Sequence, residues 1–312
     1  MSDVLYIVNP AGHGGTGRKA WRAFREAWSE PIDPEHVVVT QRPGHAREIA
    51  MTADGYDTFA AVGGDGTVGE VISALMERGL FDLELAIIPA GTGNDIARNL
   101  GVTSIEDAVD ALRNRRPRAV DIMRVESSVD GQTARTYGFL SVAIGFSSIP
   151  MIKPWMKRLL GPTGAYYLAT ILQIVVYQST LMTLRSGTRK HRGQSWLILV
   201  GNAESTAGGS MRLAPGARTD DGELNISIFP SGSRISLPTR LMPKIASGAH
   251  IDEPDVAYFP GKKIEIESDP PAVVELDGDL RGWTPATITV CPKAVRILTP
   301  AKQRANGTPS KR

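Results

Sequence analysis

Cysteine is almost absent from this 312-residue chain, which holds only Cys291. A single cysteine excludes a disulfide framework, a CxxC zinc site and a covalent haem attachment motif. Because cytoplasmic proteins are kept reduced, a cytoplasmic location is the expectation. The N-terminal apolar run carries no basic leader, so it is expected to form a first β-strand and not a signal peptide.

Carboxylates are missing from residues 131–203, although the whole chain has 33 acidic and 35 basic residues. Chance clustering on a solvated face is one interpretation of this gap. A surface that meets an anionic phospholipid leaflet is the other, and it predicts peripheral association with a membrane. The basic residues of the stretch are Arg135, Lys153, Lys157, Arg158, Arg185, Arg189, Lys190 and Arg192.

Long hydrophobic runs are also rare. The longest, residues 165–184, would just reach across a bilayer, but it contains Gln173 and Gln178. It is predicted to form a helix to about Tyr177 and then a strand, so a transmembrane span is not expected. The last twelve residues, 301–312, carry four basic groups and no acid, which is typical of a disordered tail.

The first 125 residues alternate short apolar runs with helical periodicity and glycine-rich joints. This alternation predicts an α/β domain with a doubly wound parallel sheet, whose ligand lies at the carboxyl ends of the strands. The predicted strands are Val4–Val8, His36–Thr40, Thr58–Val62 and Glu84–Ile88, and the predicted helices are Lys19–Trp28, His45–Thr52, Val68–Glu77 and Asn94–Leu100.

After Val120 the strand-like runs follow one another without helices, apart from a helical insertion at about 149–177. This pattern predicts a β-rich, sandwich-like second domain. The domain boundaries are therefore expected at 1–123 and 124–300. The predicted strands are Thr136–Val142, Leu181–Arg185, Trp196–Gly201, Leu224–Phe229, Lys263–Glu267, Val273–Leu276 and Ala286–Val290.

A glycine-rich segment with the spacing GxGxxG, residues 12–17, follows the first predicted strand. That spacing is typical of dinucleotide sites, and an NADP enzyme could use Arg42 in place of the missing acidic residue after the second strand. The segment also resembles a P-loop, but it lacks the terminal Lys-Ser/Thr pair. A generic turn whose backbone N–H groups face phosphate is the third interpretation.

The sequence Gly63-Gly64-Asp65-Gly66-Thr67 follows the third predicted strand. A carboxylate between two glycines would repel a pyrophosphate unless a cation lay between them. Mg²⁺ is held by one or two carboxylates together with nucleotide phosphates, so the segment is interpreted as a nucleotide triphosphate turn. A plain β-turn is the alternative.

Another glycine turn, residues 89–95, ends the fourth predicted strand. Asn94 suits a helix N-cap and Asp95 suits the first turn of the following helix, and capping alone would explain both residues. Because Asp65 follows the neighbouring strand, Asp95 becomes a second candidate ligand of the metal.

Two acidic turns lie in the second half of the chain. Residues 217–224 place carboxylates around Gly222 and suit a hard cation, with an exposed hairpin turn as the alternative. Residues 276–279 end a predicted strand in Asp-Gly-Asp, which is an ordinary turn signal and carries no chemistry by itself.

Taken in this order, these segments resemble the diacylglycerol kinase catalytic-domain family, in particular its soluble bacterial lipid kinases. The resemblance covers about residues 3–300 and also runs through Asn9-Pro10 and through Thr40 with Gly44-His45-Ala46. GGDGT alone is shared with NAD kinases, whereas GGDGT followed by GTGND is specific. The family fold implies an active site in the cleft between the two domains.

The resemblance implies roles for residues at the matching positions. Asp65 and Asp95 would organise a catalytic Mg²⁺, and a structural Mg²⁺ would be held by the backbone of Arg218 with the carboxylates of Asp221 and Glu223. ATP would be bound by Asn9, Pro10, Thr40, Gly63, Gly64, Asp65, Gly66, Thr67, Val68, Gly69, Thr92, Asn94 and Asp95.

Asp277 would be the general base of the family's reaction. The family usually has Asp-Gly-Glu at this motif, whereas this chain has Asp279, so the role of a second catalytic carboxylate there is in question. The implied reaction transfers the γ-phosphoryl group of ATP to the hydroxyl of a neutral lipid, with diacylglycerol as the first candidate and phosphatidic acid as its product.

Other functions stay as alternatives: a kinase of a ceramide, a sphingoid base or a glycolipid, a catalytically silent lipid or nucleotide sensor, and an NADP-dependent oxidoreductase. The expected partners are the lipid substrate and an anionic membrane surface, without nucleic acid, and a homodimer stays open. Residues 149–160 mix apolar side chains with Lys153, Lys157 and Arg158, a composition typical of an interfacial segment. A helix packed on the second domain, with snorkelling lysines, is the alternative.

Overall fold

The computed structural model describes residues 3–11, 15–146, 153, 155–156, 158–161, 168–169, 172–173, 177–232 and 242–301. The predicted helical insertion at about 149–177 and the predicted tail at 301–312 therefore lie largely outside the described residues. Within the described ranges, no helix is both long enough and apolar enough to cross a bilayer.

The chain divides into two compact units. Unit 1 consists of Met1–Val120 and Ala294–Arg312, and unit 2 consists of Asp121–Lys293. These limits differ from the predicted boundaries mainly at the C-terminal side. The difference arises because Arg296 pairs with a strand of the first unit, opposite Glu84.

Unit 1 alternates strands and helices, as its sequence predicts. Its elements are β1 Val4–Val8, α1 Thr16–Ala27, β2 Val37–Val39, α2 His45–Thr52, β3 Thr58–Gly63, α3 Asp65–Arg78, β4 Glu84–Pro89, α4 Asp95–Asn99 and α5 Ile105–Asn114.

The strands of unit 1 form a parallel sheet in the order β2-β1-β3-β4. All six residues of β3 are buried, so both faces of the sheet are covered, as in doubly wound folds. Helix α1 packs against α5, and α2 packs against α3. The predicted α/β class is confirmed for this unit.

Helix α5 is missing from the predicted elements, although its sequence carries a capping box. The hydroxyl of Ser104 accepts the N–H of Asp107 at 3.1 Å, and the carboxylate of Asp107 accepts the N–H of Ser104 at 3.0 Å. Asp107 also accepts the N–H and the hydroxyl of Thr103. Burial by itself would raise the pKa of Asp107, but these hydrogen bonds outweigh it and the pKa is lowered.

Unit 2 is rich in β-strands. Its elements, with the two strands that continue into unit 1, are β5 Arg116–Val129, β6 Gln132–Gly138, β7 Ser141–Gly145, β8 Thr180–Ser186, β9 Arg189–Gly201, β10 Leu224–Pro230, α6 Met242–Ser247, β11 Ala257–Gly261, β12 Lys263–Asp269, β13 Val273–Leu276 and β14 Asp279–Thr299.

The antiparallel pairings of unit 2 close into a ring in the order β7-β9-β8-β12-β14-β13 and back to β7. Strand β9 is long enough to pair with β8 through its first half and with β7 through its second half. Alternate residues of the ring, such as Val142, Ile198 and Val274, fill one apolar core. The predicted β-rich, sandwich-like architecture is confirmed.

The predicted strand Thr136–Val142 is wrong, because two strands occupy this region. Strand β6 ends at Gly138 and β7 begins at Ser141. Phe139 and Leu140 lie between these two strands, and their backbone N–H groups donate to the carboxylate of Asp277 instead of pairing with a neighbouring strand.

The acid-free stretch of the sequence has acidic neighbours in the structure. Strand pairing places Arg135 at 3.0 Å from Glu126 of β5, and Arg185 at 3.3 Å from Glu267 of β12. The gap in the sequence therefore does not define a uniformly positive surface among the described residues.

Candidate active site

A cavity of about 580 Å³ opens beside the carboxyl ends of the strands in unit 1. This is the edge at which doubly wound sheets bind ligands, and the volume suits a small molecule. Its lining residues come from the loops that follow β1 to β4 and from the first turns of α2 and α3, and they are Asn9, Pro10, Ala11, Thr40, Gln41, Arg42, Pro43, Ala46, Gly64, Asp65, Gly66, Thr67, Glu70, Gly91, Thr92 and Gly93.

Asn9 links two of these loops. Its Nδ2 donates to Oγ1 of Thr67 at 2.9 Å, and its Oδ1 accepts the N–H of Ala11 at 3.1 Å. Helix α1 comes so close that a Cβ on Gly17 would lie 1.8 Å from the carbonyl oxygen of Asn9. Glycine at position 17 is therefore required for the backbone approach, whatever binds in the cavity.

The loops after β3 and β4 touch through their backbones. A Cβ on Gly91 would lie 2.8 Å from Cα of Gly64, so only glycine fits there. Asn94 stabilises its loop from within: its Oδ1 accepts the N–H of Gly91 at 2.7 Å, and its Nδ2 donates to the carbonyl of Gly91 at 2.8 Å. Asn94 is the N-cap residue of α4, as predicted, but its side chain does not cap the helix, because Gly91 occupies both its polar atoms. Contrary to the prediction of a nucleotide contact, Asn94 does not line the cavity.

The carboxylates of Asp65 and Asp95 both lie close to Gly93. A Cβ on Gly93 would be 3.3 Å from Oδ2 of Asp65 and 3.2 Å from Oδ2 of Asp95, so the two oxygens are no more than 6.5 Å apart. The other oxygen of Asp65 accepts the N–H of Ile96 at 2.8 Å, which fixes the carboxylate. The structure thus brings together the two carboxylates that the sequence placed around one metal.

The carboxylates of Asp65 and Asp95 are ligands of the kind that Mg²⁺ prefers, but two carboxylates alone do not complete its coordination. One or two carboxylates, completed by phosphate oxygens and water, are its usual protein ligands. Within the described ranges, no group of three or more His, Cys, Asp or Glu side chains could hold a metal ion. An ion between Asp65 and Asp95 would therefore need further oxygen ligands, from phosphate or from water.

The segment after β3 is not a separate turn, because helix α3 begins at Asp65. Three residues predicted to bind the nucleotide, Gly63, Val68 and Gly69, therefore lie at the end of β3 or within the first turns of α3. Val68 is 1% exposed and belongs to the core. Gly63 ends β3, and a Cβ there would lie 2.5 Å from the side chain of Thr67. Gly69 continues the helix. None of these three residues, Gly63, Val68 and Gly69, is among those that line the cavity.

Glu70 lines the cavity but was not predicted. Its carboxylate accepts the N–H groups of Gly44 at 2.8 Å, Ala46 at 3.1 Å and Arg47 at 3.4 Å, and so caps α2. An acidic residue five positions after Asp65, on the second turn of α3, is the sequence signal that could have identified it.

Arg42 stands at the rim of the cavity in a bidentate pair with Glu48, at 2.7 and 2.6 Å. The hydrogen bond from Arg42 lowers the pKa of the Glu48 carboxylate. Because both terminal nitrogens of Arg42 donate to Glu48, Arg42 would have to leave this exposed pair before it could bind a 2′-phosphate, as the NADP alternative requires.

The predicted structural metal site, in unit 2, lies on an ordered turn. Oδ1 of Asp221 accepts the N–H of Glu223 at 3.0 Å, and the guanidinium of Arg218 lies 3.5 Å from Asp220. The turn is anchored by Asp121, which is fully buried and accepts the N–H groups of Gly222 and Lys293, each at 2.7 Å. Asp121 was not predicted.

Asp277, at the turn between β13 and β14, has three backbone partners. Its Oδ2 accepts the N–H of Phe139 at 2.7 Å, and its Oδ1 accepts those of Leu140 at 2.8 Å and Ser141 at 2.9 Å. Asp279 differs, since its exposed carboxylate pairs with Arg281 at 2.8 Å. Three hydrogen bonds therefore hold the carboxylate of Asp277 in one orientation. The carboxylate of Asp279, which was predicted as a second catalytic group, forms an exposed ion pair.

Two family models match the chain. One is described as the diacylglycerol kinase catalytic domain and matches residues 3–125. The other is described as the YegS C-terminal NAD kinase beta sandwich-like domain and matches residues 153–299. The two matches correspond to the α/β and the β-rich parts of the chain.

Curated relatives extend over nearly the whole chain. A diacylglycerol kinase of Mycobacterium tuberculosis is 30% identical over 308 residues, covering 96% of this chain and 96% of that protein. A protein of Pseudomonas aeruginosa named "Probable lipid kinase YegS-like" is 33% identical over 288 residues, covering 91% and 89%. The crystal structure of a diacylglycerol kinase from Bacillus anthracis superimposes with a TM-score of 0.69 at 24% identity, covering 96% of this chain and 97% of that one. That likeness shows the shared fold.

Proposed function

The chain belongs to the diacylglycerol kinase family of lipid kinases, and from this premise we propose that it phosphorylates diacylglycerol with ATP to give phosphatidic acid. The observation that carries the proposal is the pair Asp65 and Asp95 around Gly93, at the edge of a cavity of nucleotide size. The relatives carry two names, diacylglycerol kinase and YegS-like lipid kinase, so the acceptor alcohol is the part of the proposal to be tested.

Unit 1 would bind the nucleotide in the 580 Å³ cavity. The first N–H groups of a helix have no acceptor within the helix, so those at the start of α3 suit a triphosphate. Thr40 and Thr92 line the same cavity and supply hydroxyl groups. Glycines at 64, 66, 91 and 93 allow the phosphates to approach the backbone.

Asp65 and Asp95 are the residues that would hold the catalytic Mg²⁺, together with phosphate oxygens. When bound, the ion would neutralise charge on the β- and γ-phosphates during transfer. Asp65 needs no rearrangement for this role, because the N–H of Ile96 already fixes one oxygen and leaves Oδ2 beside Gly93.

Asp277 would act as the general base. The lipid O–H bond breaks and its proton moves to the carboxylate, while the lipid oxygen bonds to the γ-phosphorus and the bond from that phosphorus to the bridging oxygen breaks. ADP leaves with that oxygen. The base need not be strong, since the transition state is loose and the proton leaves late. The N–H groups of Phe139, Leu140 and Ser141 would hold the carboxylate in one orientation.

The predicted interfacial segment 149–160 would contact the membrane, since its described residues expose large apolar side chains. Trp155, Leu159 and Leu160 are 54%, 74% and 45% exposed. Arg158 is also exposed, which is the combination of apolar and basic groups found at lipid interfaces. Met156, at 3% exposed, faces inward and anchors the segment.

The decisive experiment is mass spectrometry of the lipids that the pure protein phosphorylates from a total lipid extract with ATP and Mg²⁺. Phosphatidic acid formed in step with ADP supports the proposal. A phosphorylated ceramide, sphingoid base or glycolipid would assign another acceptor. No ADP release with any lipid alcohol would favour the silent sensor instead.

A further inference from the structure

Asn202, the residue that follows β9, is a buried polar side chain that the proposed mechanism does not use. It is fully buried, and its Nδ2 donates to the carbonyl of Phe139 at 2.8 Å and to that of Asp121 at 3.0 Å. Because both neighbours are carbonyl oxygens, the nitrogen of the amide and not its oxygen must face them. The side chain is therefore fixed in one orientation.

The peptide group between Phe139 and Leu140 connects Asn202 to Asp277. Its carbonyl accepts from Asn202, and its N–H, which belongs to Leu140, donates to Oδ1 of Asp277 at 2.8 Å. A trans peptide group is planar and points its C=O and N–H in opposite directions. Asn202 and Asp277 therefore bind the two ends of one rigid group.

The next peptide group, between Leu140 and Ser141, has the same arrangement. Its carbonyl accepts the backbone N–H groups of Asn202 at 3.0 Å and of Ala203 at 3.1 Å, and its N–H donates to Oδ1 of Asp277 at 2.9 Å. Two of the three N–H groups that bind the carboxylate thus belong to peptide groups that Asn202 contacts from the other side. A hydrogen bond to the carbonyl polarises a peptide group and strengthens the bond that its N–H donates.

The amide oxygen of Asn202 makes this residue unfavourable for stability. Within the described ranges, its Oδ1 is buried and has no hydrogen-bond partner. A buried carbonyl without a partner destabilises the folded state, so a position that served packing alone would favour an apolar side chain of the same volume. The donation from Nδ2 is the property that favours asparagine at this position.

We propose that Asn202 is a positioning residue for Asp277: it fixes the peptide groups whose N–H groups orient the base carboxylate. This inference rests on the general-base role proposed above for Asp277. Asn202 would act through Asp277, so its loss should lower turnover and leave ATP binding unchanged. Misplacing a catalytic group by about 1 Å can cost on the order of 10²-fold in rate, so the effect is large enough to measure.

The test replaces Asn202 by leucine, which has a similar volume and no donor, and uses Asn225→Leu as the matched control. Asn225, on β10, also donates through its Nδ2, but to the hydroxyl of Tyr258 at 2.7 Å. Steady-state kinetics should show turnover about 10- to 100-fold lower in Asn202→Leu, with an unchanged KM for ATP. The control should behave like wild type.

A double-mutant cycle with Asp277→Asn identifies the route of the effect. If Asn202 acts through the base, Asn202→Leu should lower the residual turnover of Asp277→Asn by less than about twofold. A loss as large in that background as in wild type would overturn the proposal, because the effect would then bypass Asp277. Should Asn202→Leu melt too low for the assay, Asn202→Ser enters the same cycle with the same expectation.

Amide hydrogen exchange gives a second readout, which needs no reaction. In the protein without ATP or lipid, the amides of Phe139 and Leu140 should exchange about tenfold faster in Asn202→Leu than in wild type or in the control. Unchanged exchange at both amides would overturn the positioning role, whether or not the protein is a kinase. Faster exchange in Asn202→Leu, with no turnover by wild type, would refute the kinase function and support the hold of Asn202 on Asp277.

Discussion

Oε1 of Glu70, on α3, accepts the N–H of Gly44 at 2.8 Å, and this bond ties α3 to the start of α2 beside the cavity. Helix α2 has glycine at its N-cap and no side-chain cap of its own. The carboxylate of Glu70 supplies both the acceptors and the negative charge that a helix N-terminus favours. Because it occupies those N–H groups, the proposed phosphate site is at the start of α3 and not at the start of α2.

Replacing Glu70 should therefore weaken nucleotide binding. In Glu70→Ala, the first N–H groups of α2 lose their acceptor, and the loop that carries Thr40 loses the hydrogen bond from Gly44 to α3. We expect the KM for ATP to rise about tenfold, the loss of one charge-assisted hydrogen bond, with a smaller change in kcat. Steady-state kinetics with varied ATP measures both.

The control is Glu77→Ala, on the same helix. Glu77 pairs with Arg47 of α2 and does not line the cavity. If both variants raise the KM equally, the effect comes from general loosening of α2 and α3, and the specific role of Glu70 is wrong.

Asp65→Asn should separate metal binding from loop structure. The asparagine carbonyl can still accept the N–H of Ile96, so the loop keeps its hydrogen bond while the charge beside Gly93 is lost. We expect turnover to fall about 10²- to 10³-fold and the Mg²⁺ concentration for half-maximal rate to rise. An unchanged Mg²⁺ dependence would remove Asp65 from the metal site.

Asp277→Asn and Asp279→Asn should differ sharply in turnover and in stability. At 277 the amide can accept at only one position, so turnover should fall about 10²- to 10⁴-fold, and the unpaired N–H of Phe139 or its neighbours should cost about 1–3 kcal/mol of stability. At 279 only an exposed pair with Arg281 is lost, and activity should stay near wild type. Turnover and melting temperature are measured together, with ATP binding as the check on the fold. Near-normal turnover of Asp277→Asn would refute the general-base assignment.

The acidic turn at 218–223 is tested by Mg²⁺-dependent melting. If the turn holds a structural ion, added Mg²⁺ should raise the melting temperature of wild type by mass action, and Asp221→Ala should abolish that rise. The same rise in both proteins would leave the turn as an ordinary hairpin, anchored by Asp121.

The cap of α5 predicts a pH dependence. Hydrogen bonds lower the pKa of Asp107 in the folded state, so its stabilisation is present above the unfolded pKa and is lost as the pH falls through the folded value. Asp107→Asn should lower stability by about 1 kcal/mol near neutral pH, a typical value for a helix cap. Chemical denaturation at several pH values should show this difference shrinking in acid. A constant difference would mean that the charge of Asp107 is not involved.

Local patterns identified much of the fold from sequence alone. The bounds of α2 and β13 agree with the prediction, because a glycine at a turn, Gly44 before α2 and Gly278 after β13, marks one end of each in the sequence. The roles of Glu70 and Asp121 could not be predicted from sequence, because their hydrogen-bond partners are distant along the chain: 26 residues separate Glu70 from Gly44, and 172 separate Asp121 from Lys293. At Val68 the opposite holds: the local motif predicts a turn, but helix α3 begins at Asp65 and buries Val68 in the core.

The pairing of Arg296 and Ile297 with β4 has a consequence for biosynthesis. The ribosome completes β1 to β4 early, but the strand that covers the outer edge of β4 emerges only near the end of translation. An uncovered strand edge invites pairing with other chains. Unit 1 therefore lacks this strand until all of unit 2 has been made, and a stop codon just before Ala294 would leave that edge of β4 unpaired in the part of the protein that is made first.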